Sequence, residues 1–144
     1  MNEFCAAMGL CNLRHVDEEI QKRKRVVEQY RSILGDTKGL RFNTIQPDVK
    51  GNYAYFPIII DEKEFGATRN DVFESLAKEG IGARKYFYPL TNTFDCFQGK
   101  YDPVKTPIAL HISKRVLTLP LYADLEEKEV DRICRCVIAV SGRN

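Results

Sequence analysis

The sequence has no tryptophan, two histidines, two methionines and no long hydrophobic run. A helix needs ~20 consecutive apolar residues to cross a bilayer, and no stretch here approaches that length. The N-terminal "MNEFCAAMGL" also lacks the basic lead and the apolar core of a signal peptide. These absences predict a cytoplasmic protein without a membrane partner.

The sequence also has no strong excess of positive or negative charge. The chain has 22 basic and 20 acidic residues, and its formal net charge of +2 is too small to indicate a nucleic acid as a partner. One basic run, residues 22–25 (KRKR), could form a nucleic-acid patch. Asp17, Glu18, Glu19 and Glu28 flank this run on the same predicted helix, so we interpret it as a solvent-exposed helix face.

The five cysteines, Cys5, Cys11, Cys96, Cys134 and Cys136, do not form a recognisable framework. Their odd number and irregular spacing argue against a set of disulfides. Cys134 and Cys136 lie two positions apart on a predicted helix, which points their thiols ~200° apart and suits a single metal poorly. We interpret this pair as small buried apolar residues.

The motifs of a self-contained enzyme are absent too. The sequence has no G-x-S-x-G, no G-x-x-x-x-G-K-[ST] and no H-E-x-x-H. His15 and His111 are expected to be surface or packing residues, and Cys96 is a weak nucleophile candidate without a neighbouring histidine. The residues alone therefore predict no complete catalytic site.

What the sequence does contain is the pattern of one α/β domain. Its 144 residues are 44% hydrophobic, enough for a single core. Residues 2–13 are apolar nearly all round, as in a helix buried on several sides, so we expect its neighbours to lie outside this chain. A second helix follows, which Gly35 should end in a left-handed conformation. Its defining apolar positions are Val16, Ile20, Val27, Tyr30 and Leu34.

Strands and helices alternate after residue 39. Residues 53–60 (YAYFPIII) predict a strand with Pro57 at an edge or bulge, since proline cannot donate a ladder hydrogen bond. Thr68 and Asp71 have capping-box spacing before a short helix. Residues 81–87 (IGARKYF) predict the next strand.

The remaining chain predicts a helix, a strand and a final helix. Thr106 should cap the first of these helices, with Pro107 at its first position. Residues 116–121 predict a strand, and Asp124 and Glu127 repeat the capping arrangement. The apolar stripe of the last helix is Val130, Ile133, Cys134 and Val137. The predicted fold class is α/β, an α+β two-layer domain with a short sheet packed against helices.

One stretch, "GIGARKYFYPL" (residues 80–90), has more polar groups than a core strand needs. By strand alternation, Arg84, Tyr86 and Tyr88 should share one face, while Lys85 and Phe87 share the other. Two interpretations are open at this point. The tyrosines could be core residues beside a surface arginine, or the segment could contact a polar ligand.

Five segments, in this order, resemble the C-terminal part of the DegT/DnrJ/EryC1/StrS aminotransferases: MNEFCAAMGLCNL, NYAYFPIII, GIGARKYFYPL, TPIA and VLTLPLYADL. The family enters this part through "RM-x-E-x-x-A-A-x-G", which Met1, Glu3, Ala6, Ala7 and Gly9 fit, although the arginine is absent. The resemblance implies the small C-terminal domain of a fold-type I transferase. The whole chain, 1–144, would be one domain cut from a larger enzyme.

The resemblance also implies a function. Members of this family are pyridoxal-phosphate enzymes that aminate nucleotide-linked keto-sugars, usually from glutamate, as homodimers in surface-polysaccharide or amino-sugar biosynthesis. It implies that Arg84 or Lys85 contacts the substrate diphosphate and that Tyr86 and Tyr88 contact the sugar. No lysine here matches the cofactor-lysine segment, so we assign no catalytic residue and expect the chain alone to be inactive. Thr91 stands where many relatives have a histidine.

A rival interpretation comes from a different class of protein. The chain could be a free-standing α/β module that binds a small ligand and catalyses nothing. A cofactor lysine encoded in frame upstream of Met1 would favour the enzyme over this module.

Overall fold

The computed structural model describes residues 2–142, which form six α-helices, three short 3-10 turns and one antiparallel sheet of three strands. The helices are α1 (Glu3–Leu13), α2 (Val16–Leu34), α3 (Glu62–Phe65), α4 (Arg69–Lys78), α5 (Pro107–Arg115) and α6 (Glu127–Ile138). The strands are β1 (Leu40–Phe42), β2 (Phe56–Ile60) and β3 (Val116–Leu119). The 3-10 turns are Thr91–Thr93, Asp95–Phe97 and Pro103–Lys105.

The core lies between the sheet and the helices α2, α4 and α6. Tyr30 of α2 is fully buried and stacks on Phe56 of β2, with ring centroids 4.9 Å apart. Its hydroxyl donates to the carbonyl of Pro120 at 2.9 Å, so no buried polar atom is left without a partner there. The predicted apolar stripe of α6 is buried at all four positions. The two-layer α/β prediction is confirmed.

Pro57 lies in the central strand, because the strand order is β1-β2-β3. The predicted edge position is therefore wrong for the sheet as a whole. Pro57 pairs with Thr118, whose N–H and C=O both bond to Arg84 on the far side of β3, at 2.7 and 3.0 Å. The Pro57 nitrogen must then face β1, whose pairing ends with Phe42 opposite Ile58. No ladder hydrogen bond is lost, which is why proline is tolerated.

The end of α2 differs from the expectation. Gly35 has φ −57° and is right-handed, because the chain continues into a turn in which Thr37 N–H bonds to Leu34 O at 3.1 Å. The left-handed residue is Gly39, with φ 77°, directly before β1. The reversal of the chain thus comes four residues later than predicted.

Of the three predicted helix caps, one forms as expected. Thr68 and Asp71 make a complete capping box at the start of α4. Thr106 holds the N-cap position of α5, but its hydroxyl donates to the Pro103 carbonyl at 3.1 Å, so its side chain does not cap the helix. Asp124 does not cap α6 either, because the residue directly before that helix is Glu126, which makes no side-chain capping bond.

Surface features follow the composition. Lys22 lies within 4.0 Å of Glu18, Glu19 and Asp124, so acidic neighbours offset its charge as expected. The basic run is less exposed than expected, because residues 22–24 are half-buried and Arg25 alone of the four is exposed. Cys134 is buried as expected, while its neighbour Cys136 is half-buried. None of the helices within residues 2–142 is long and apolar enough to cross a membrane.

Helix α1 forms as predicted, with Asn2 as its N-cap, but none of its residues is buried, and all except the half-buried Ala6 are exposed. Phe4 is 85% exposed, and Met8, Leu10 and Leu13 are exposed to a comparable degree. Its apolar surface thus finds no neighbour within residues 2–142.

Candidate functional site

The segment predicted as a strand over residues 81–87 makes a single bridge, in which Arg84 pairs with Thr118 of β3. The strand prediction is wrong because β3 offers no further pairing partners. The neighbouring hydrogen-bonded pairs would use Pro120, which has no N–H, and Val116, whose N–H already donates to Ile112 O at the end of α5. The segment therefore leaves the sheet after Arg84.

Arg84 and Tyr86 form a pair at the point where the segment leaves. An Arg84 Nη1 donates a hydrogen bond to the Tyr86 hydroxyl, and the Arg84 guanidinium carbon lies 5.5 Å from the centroid of that ring. Phe87 stacks on Tyr86 with centroids 4.9 Å apart, and Tyr55 meets it edge-on at 5.6 Å. The Tyr86 ring thus contacts two aromatic side chains in addition to Arg84.

The Arg84–Tyr86 pair borders a hollow of about 320 Å³ that we call the arginine hollow. Its other walls are Ala54, Tyr55, Gly82 and residues 118–121. Arg84 is exposed, so its guanidinium can present a planar fork of donors to an anion entering from solvent.

A second hollow of about 560 Å³, which we call the aromatic hollow, is lined mainly by the segment and shares Arg84 and Tyr86 with the arginine hollow. Its lining residues are Phe73, residues 83–89, Thr91 and Phe94. Lys85 reaches this hollow, with its ammonium 4.3 Å from the Phe73 ring centroid. Arg84 and Tyr86 line both hollows, whereas Lys85 lines only the aromatic hollow. The predicted alternation is therefore only partly met, because Phe87, which was expected on the face opposite to Tyr86, stacks on the Tyr86 ring.

Tyr88 lines the aromatic hollow together with Arg84 and Tyr86, but it does not line the arginine hollow. The alternation ends because the segment is no longer a strand there. The Tyr88 ring lies over the guanidinium of Arg69, 4.9 Å from the guanidinium carbon to the ring centroid, and is 52% exposed. It forms part of the aromatic hollow.

Arg69 is the residue that sequence reasoning missed. It is the first residue of α4, and its side chain is 4% exposed. Desolvation by burial lowers the pKa of its guanidinium, although charge interactions with Tyr88 and Glu62 oppose the shift. One signal was available in the sequence: a cation in the first turn of a helix opposes the helix dipole, so it needs another reason to be there.

The other candidates contribute nothing to this site. His15, His111 and Cys96 are exposed, in agreement with the predicted surface role of the histidines. Within residues 2–142, no group of histidine, cysteine and acidic side chains could hold a metal ion.

A family model settles what the segment order suggested: the DegT/DnrJ/EryC1/StrS aminotransferase family matches residues 1–138. This chain belongs to that family. The chain is 37% identical over 140 residues to the dTDP-4-amino-4,6-dideoxy-D-glucose transaminase of Escherichia coli, covering 96% of the chain and 38% of the enzyme. It is 29% identical over 139 residues to the GDP-perosamine synthase of Vibrio cholerae, covering 95% and 36%.

Solved structures give the same result for the fold. DesI with its TDP-sugar product matches with a TM-score of 0.89 and 29% identity, over 99% of this chain and 36% of that one. Spr1654 from Streptococcus pneumoniae in its PMP form matches with 0.85 and 25%, over 97% and 35%. The predicted membership in an aminotransferase family and its fold are confirmed. The chain spans little more than a third of the length of these relatives.

Proposed function

We propose that this chain is the C-terminal domain of a pyridoxal-phosphate-dependent aminotransferase that acts on a nucleotide-linked keto-sugar. The observation that carries the proposal is the Arg84–Tyr86 pair at the arginine hollow, in a chain of this family. A nucleotide-sugar needs a cation for its diphosphate beside groups that bind hydroxyls. The pair offers both within one side-chain contact.

Arg84 is the better candidate for the diphosphate, and Lys85 is the secondary one. The guanidinium of Arg84 can donate two parallel hydrogen bonds to a phosphate, whereas an ammonium acts as a point charge. The Lys85 ammonium is also directed onto the Phe73 ring, away from the arginine hollow. Arg84 thus reaches the arginine hollow and Lys85 does not, although both line the aromatic hollow.

Tyr86 and Tyr88 are proposed to contact the sugar from two sides. A tyrosine presents a flat ring for the apolar face of a pyranose and a hydroxyl for its oxygens. The Tyr86 hydroxyl accepts from Arg84, which leaves its own proton free to donate. The Tyr88 ring contacts the Arg69 guanidinium with one face, and about half of its surface remains exposed.

The residues present do not fit attachment of the cofactor. Pyridoxal phosphate needs a lysine amine for its aldehyde, and Lys85 is the lysine among the residues that line the two hollows. Its ammonium rests on an aromatic face 4.3 Å away. When bound, the cofactor supplies the electron sink for amino transfer. We assign its attachment to other parts of a longer enzyme, and to this chain the binding and orientation of the sugar.

Further parts of the proposal follow from the family alone. Glutamate is the proposed amino donor, a homodimer the proposed assembly, and the cytoplasm the proposed location. A role in surface polysaccharide is supported by a relative of Bacillus subtilis, the spore coat polysaccharide biosynthesis protein SpsC, at 27% identity over 139 residues.

Tyr86→Phe and Arg84→Met in the full-length enzyme test the proposal. The probe is dTDP-4-amino-4,6-dideoxy-D-glucose with 2-oxoglutarate, so that the amino-sugar and amino-acid half-reactions are measured separately. Each variant should lower kcat/KM for the sugar by roughly 10-fold, the effect of losing ~1.4 kcal/mol of transition-state binding, and spare the glutamate half-reaction.

Tyr101→Phe is the matched control, because Tyr101 is exposed and lines neither hollow. If both site variants melt earlier than the wild type but keep normal kinetics in both half-reactions, the segment serves packing alone and the proposal is wrong.

A further inference from the structure

Arg69 is the charged side chain that the described part of the chain buries most deeply, at 4% exposure. Its Nη1 donates to the carbonyls of Ser113 and Val116, at 3.4 and 3.3 Å, and its Nε donates to Asn70 Oδ1 at 3.0 Å. These contacts connect the start of α4 to the end of α5 and the start of β3. The guanidinium therefore sits at the junction of three elements.

No carboxylate within residues 2–142 forms an ion pair with Arg69. Burying a guanidinium costs free energy, and the two carbonyl contacts at 3.4 and 3.3 Å and the charge of Glu62 offset only part of that cost. Stability by itself is therefore a poor explanation for an arginine at this place. The geometry around it offers a better one.

The Val116 carbonyl is the group that a longer strand at residues 84–86 would use. With Arg84 opposite Thr118, the next hydrogen-bonded pair would join Tyr86 to Val116. The Val116 N–H already donates to Ile112 O, and its C=O accepts from Arg69. Both groups are engaged elsewhere, so the segment turns away from β3 after Arg84.

The same guanidinium meets the segment again after the turn. Its carbon atom lies 4.9 Å from the centroid of the Tyr88 ring, on the side that faces the protein. The other side of that ring is exposed and borders the aromatic hollow. A planar guanidinium stacks on a tyrosine face, which a lysine ammonium does less well.

We propose that Arg69 is a positioning residue that ends the pairing of residues 84–88 with β3 and holds the Tyr88 ring at the wall of the aromatic hollow. The placement of Tyr88 is a property of this chain by itself. The part of the inference in which the placed ring serves sugar binding rests on the proposed function.

Fluorine NMR on this chain tests the placement without any enzyme assay. A 3-fluorotyrosine at position 88 should resonate away from its position in the urea-denatured chain. Arg69→Met should move the signal more than halfway to that position, and Arg69→Lys should move it in the same direction by less. Should Arg69→Met fail to fold, Arg69→Lys, which keeps the charge and the aliphatic stem, carries the test alone.

Two matched controls separate positioning from general loosening. A label at position 101, on a tyrosine of similar exposure, should not move in the Arg69 variants. Arg115→Met removes a half-buried arginine whose Nη1 donates to the His111 carbonyl at 3.3 Å, and it should leave the label at 88 in place. An unmoved label at 88, or equal movement of both labels, overturns the proposal.

A double-mutant cycle in the full-length enzyme tests the consequence. Arg69→Met should raise KM for dTDP-4-amino-4,6-dideoxy-D-glucose between about 10- and 100-fold, as expected of a misplaced contact, and spare the glutamate half-reaction. In the Tyr88→Leu background the same substitution should change little. An equal effect in both backgrounds overturns the proposal. If the label moves but the wild-type enzyme does not transaminate this sugar, the placement stands and the proposed function fails.

Discussion

At the scale of single residues, the contacts of each side chain decide which groups of the candidate site are available to a ligand. Arg84 and Lys85 carry the same charge, yet Arg84 pairs with a phenol at the arginine hollow and Lys85 lies on the Phe73 ring. Tyr86 and Tyr88 differ in the same way, because one binds Arg84 and the other stacks on Arg69. These differences were outside the reach of the sequence, since alternation assigns faces only while a strand continues.

Gly39 should be among the least replaceable residues of the fold. It has φ 77°, and a Cβ atom there would lie 2.3 Å from the backbone nitrogen of Phe65. Left-handed backbone alone costs a non-glycine residue roughly 1–2 kcal/mol, and the contact with backbone adds to that. We expect Gly39→Ala to lower the free energy of unfolding by more than ~2 kcal/mol in urea denaturation.

Gly80 provides the matched control for Gly39. It has nearly the same φ, 72°, but a Cβ atom there would meet nothing within 4 Å. Gly80→Ala should therefore show the conformational cost alone, roughly 1–2 kcal/mol. If both variants lost the same free energy of unfolding, the contact of the added Cβ atom at position 39 with Phe65 would contribute nothing, and this prediction would be wrong.

Cys134 should make the fold less stable at alkaline pH. Burial raises the pKa of its thiol from 9.0 to about 12, so between these values the unfolded chain loses a proton that the folded chain keeps. The free energy of unfolding must then fall as pH rises through this range, and the contribution of Cys134 is constant below pH 9.0.

The alkaline decline is measured by comparing urea midpoints at about pH 8 and about pH 10.5, on either side of an ordinary thiol pKa. Cys134→Ala should be less stable at the lower pH but should decline less. Burial also raises the pKa of the Tyr30 hydroxyl, so only the difference between the two chains reports Cys134. If the urea midpoints of the wild-type and Cys134→Ala chains fell equally between the two pH values, the raised thiol pKa of Cys134 would be contradicted.

At the scale of elements, the sequence predicts a helix or strand where local pattern and packing agree. The stripe of α6 and the capping box of α4 are both strong local signals, and both form as predicted. The segment at residues 81–87 has equally good strand composition, but its pairing is limited by Pro120 and by the engaged groups of Val116. Those limits depend on tertiary neighbours, which no local pattern contains.

Helix α1 should make this chain associate with itself in solution. None of its residues is buried, and Phe4 and Met8, one helical turn apart, expose large apolar surface. We expect light scattering to show a concentration-dependent increase in mass. Phe4→Glu with Met8→Glu should abolish it without lowering the melting temperature, since no packing is lost.

Ile108→Glu is the control for α1, because Ile108 is 80% exposed on a different helix. It should leave the association intact. A wild-type chain that stays strictly monomeric, with the amides of α1 fully protected from exchange, would show that this helix needs no further neighbour.

At the scale of the whole molecule, the described residues form a closed core and a candidate site that is open to solvent. Tyr30, Phe56 and the α6 stripe pack into a closed interior, whereas the two hollows are open and hold no group suited to the cofactor. The chain spans 38% of the length of the Escherichia coli transaminase. The fold and the candidate site segment could be predicted from five matching segments, but the role of Arg69 could not, because its partners come from three separate elements.

The proposed assignment of the cofactor to other parts of a longer enzyme predicts that this chain by itself cannot take up pyridoxal phosphate covalently or transaminate. Lys85, the lysine at the hollows, has its ammonium held at an aromatic face, and an imine requires that nitrogen to be free and neutral. After incubation with pyridoxal phosphate and reduction with borohydride, mass spectrometry should find no stoichiometric adduct on this chain. The full-length enzyme, treated identically, should carry one adduct per subunit on a lysine outside residues 1–144. A single, saturable adduct on Lys85 with a matching absorbance band would overturn both the assignment of the cofactor to the rest of the enzyme and the binding role proposed for this segment.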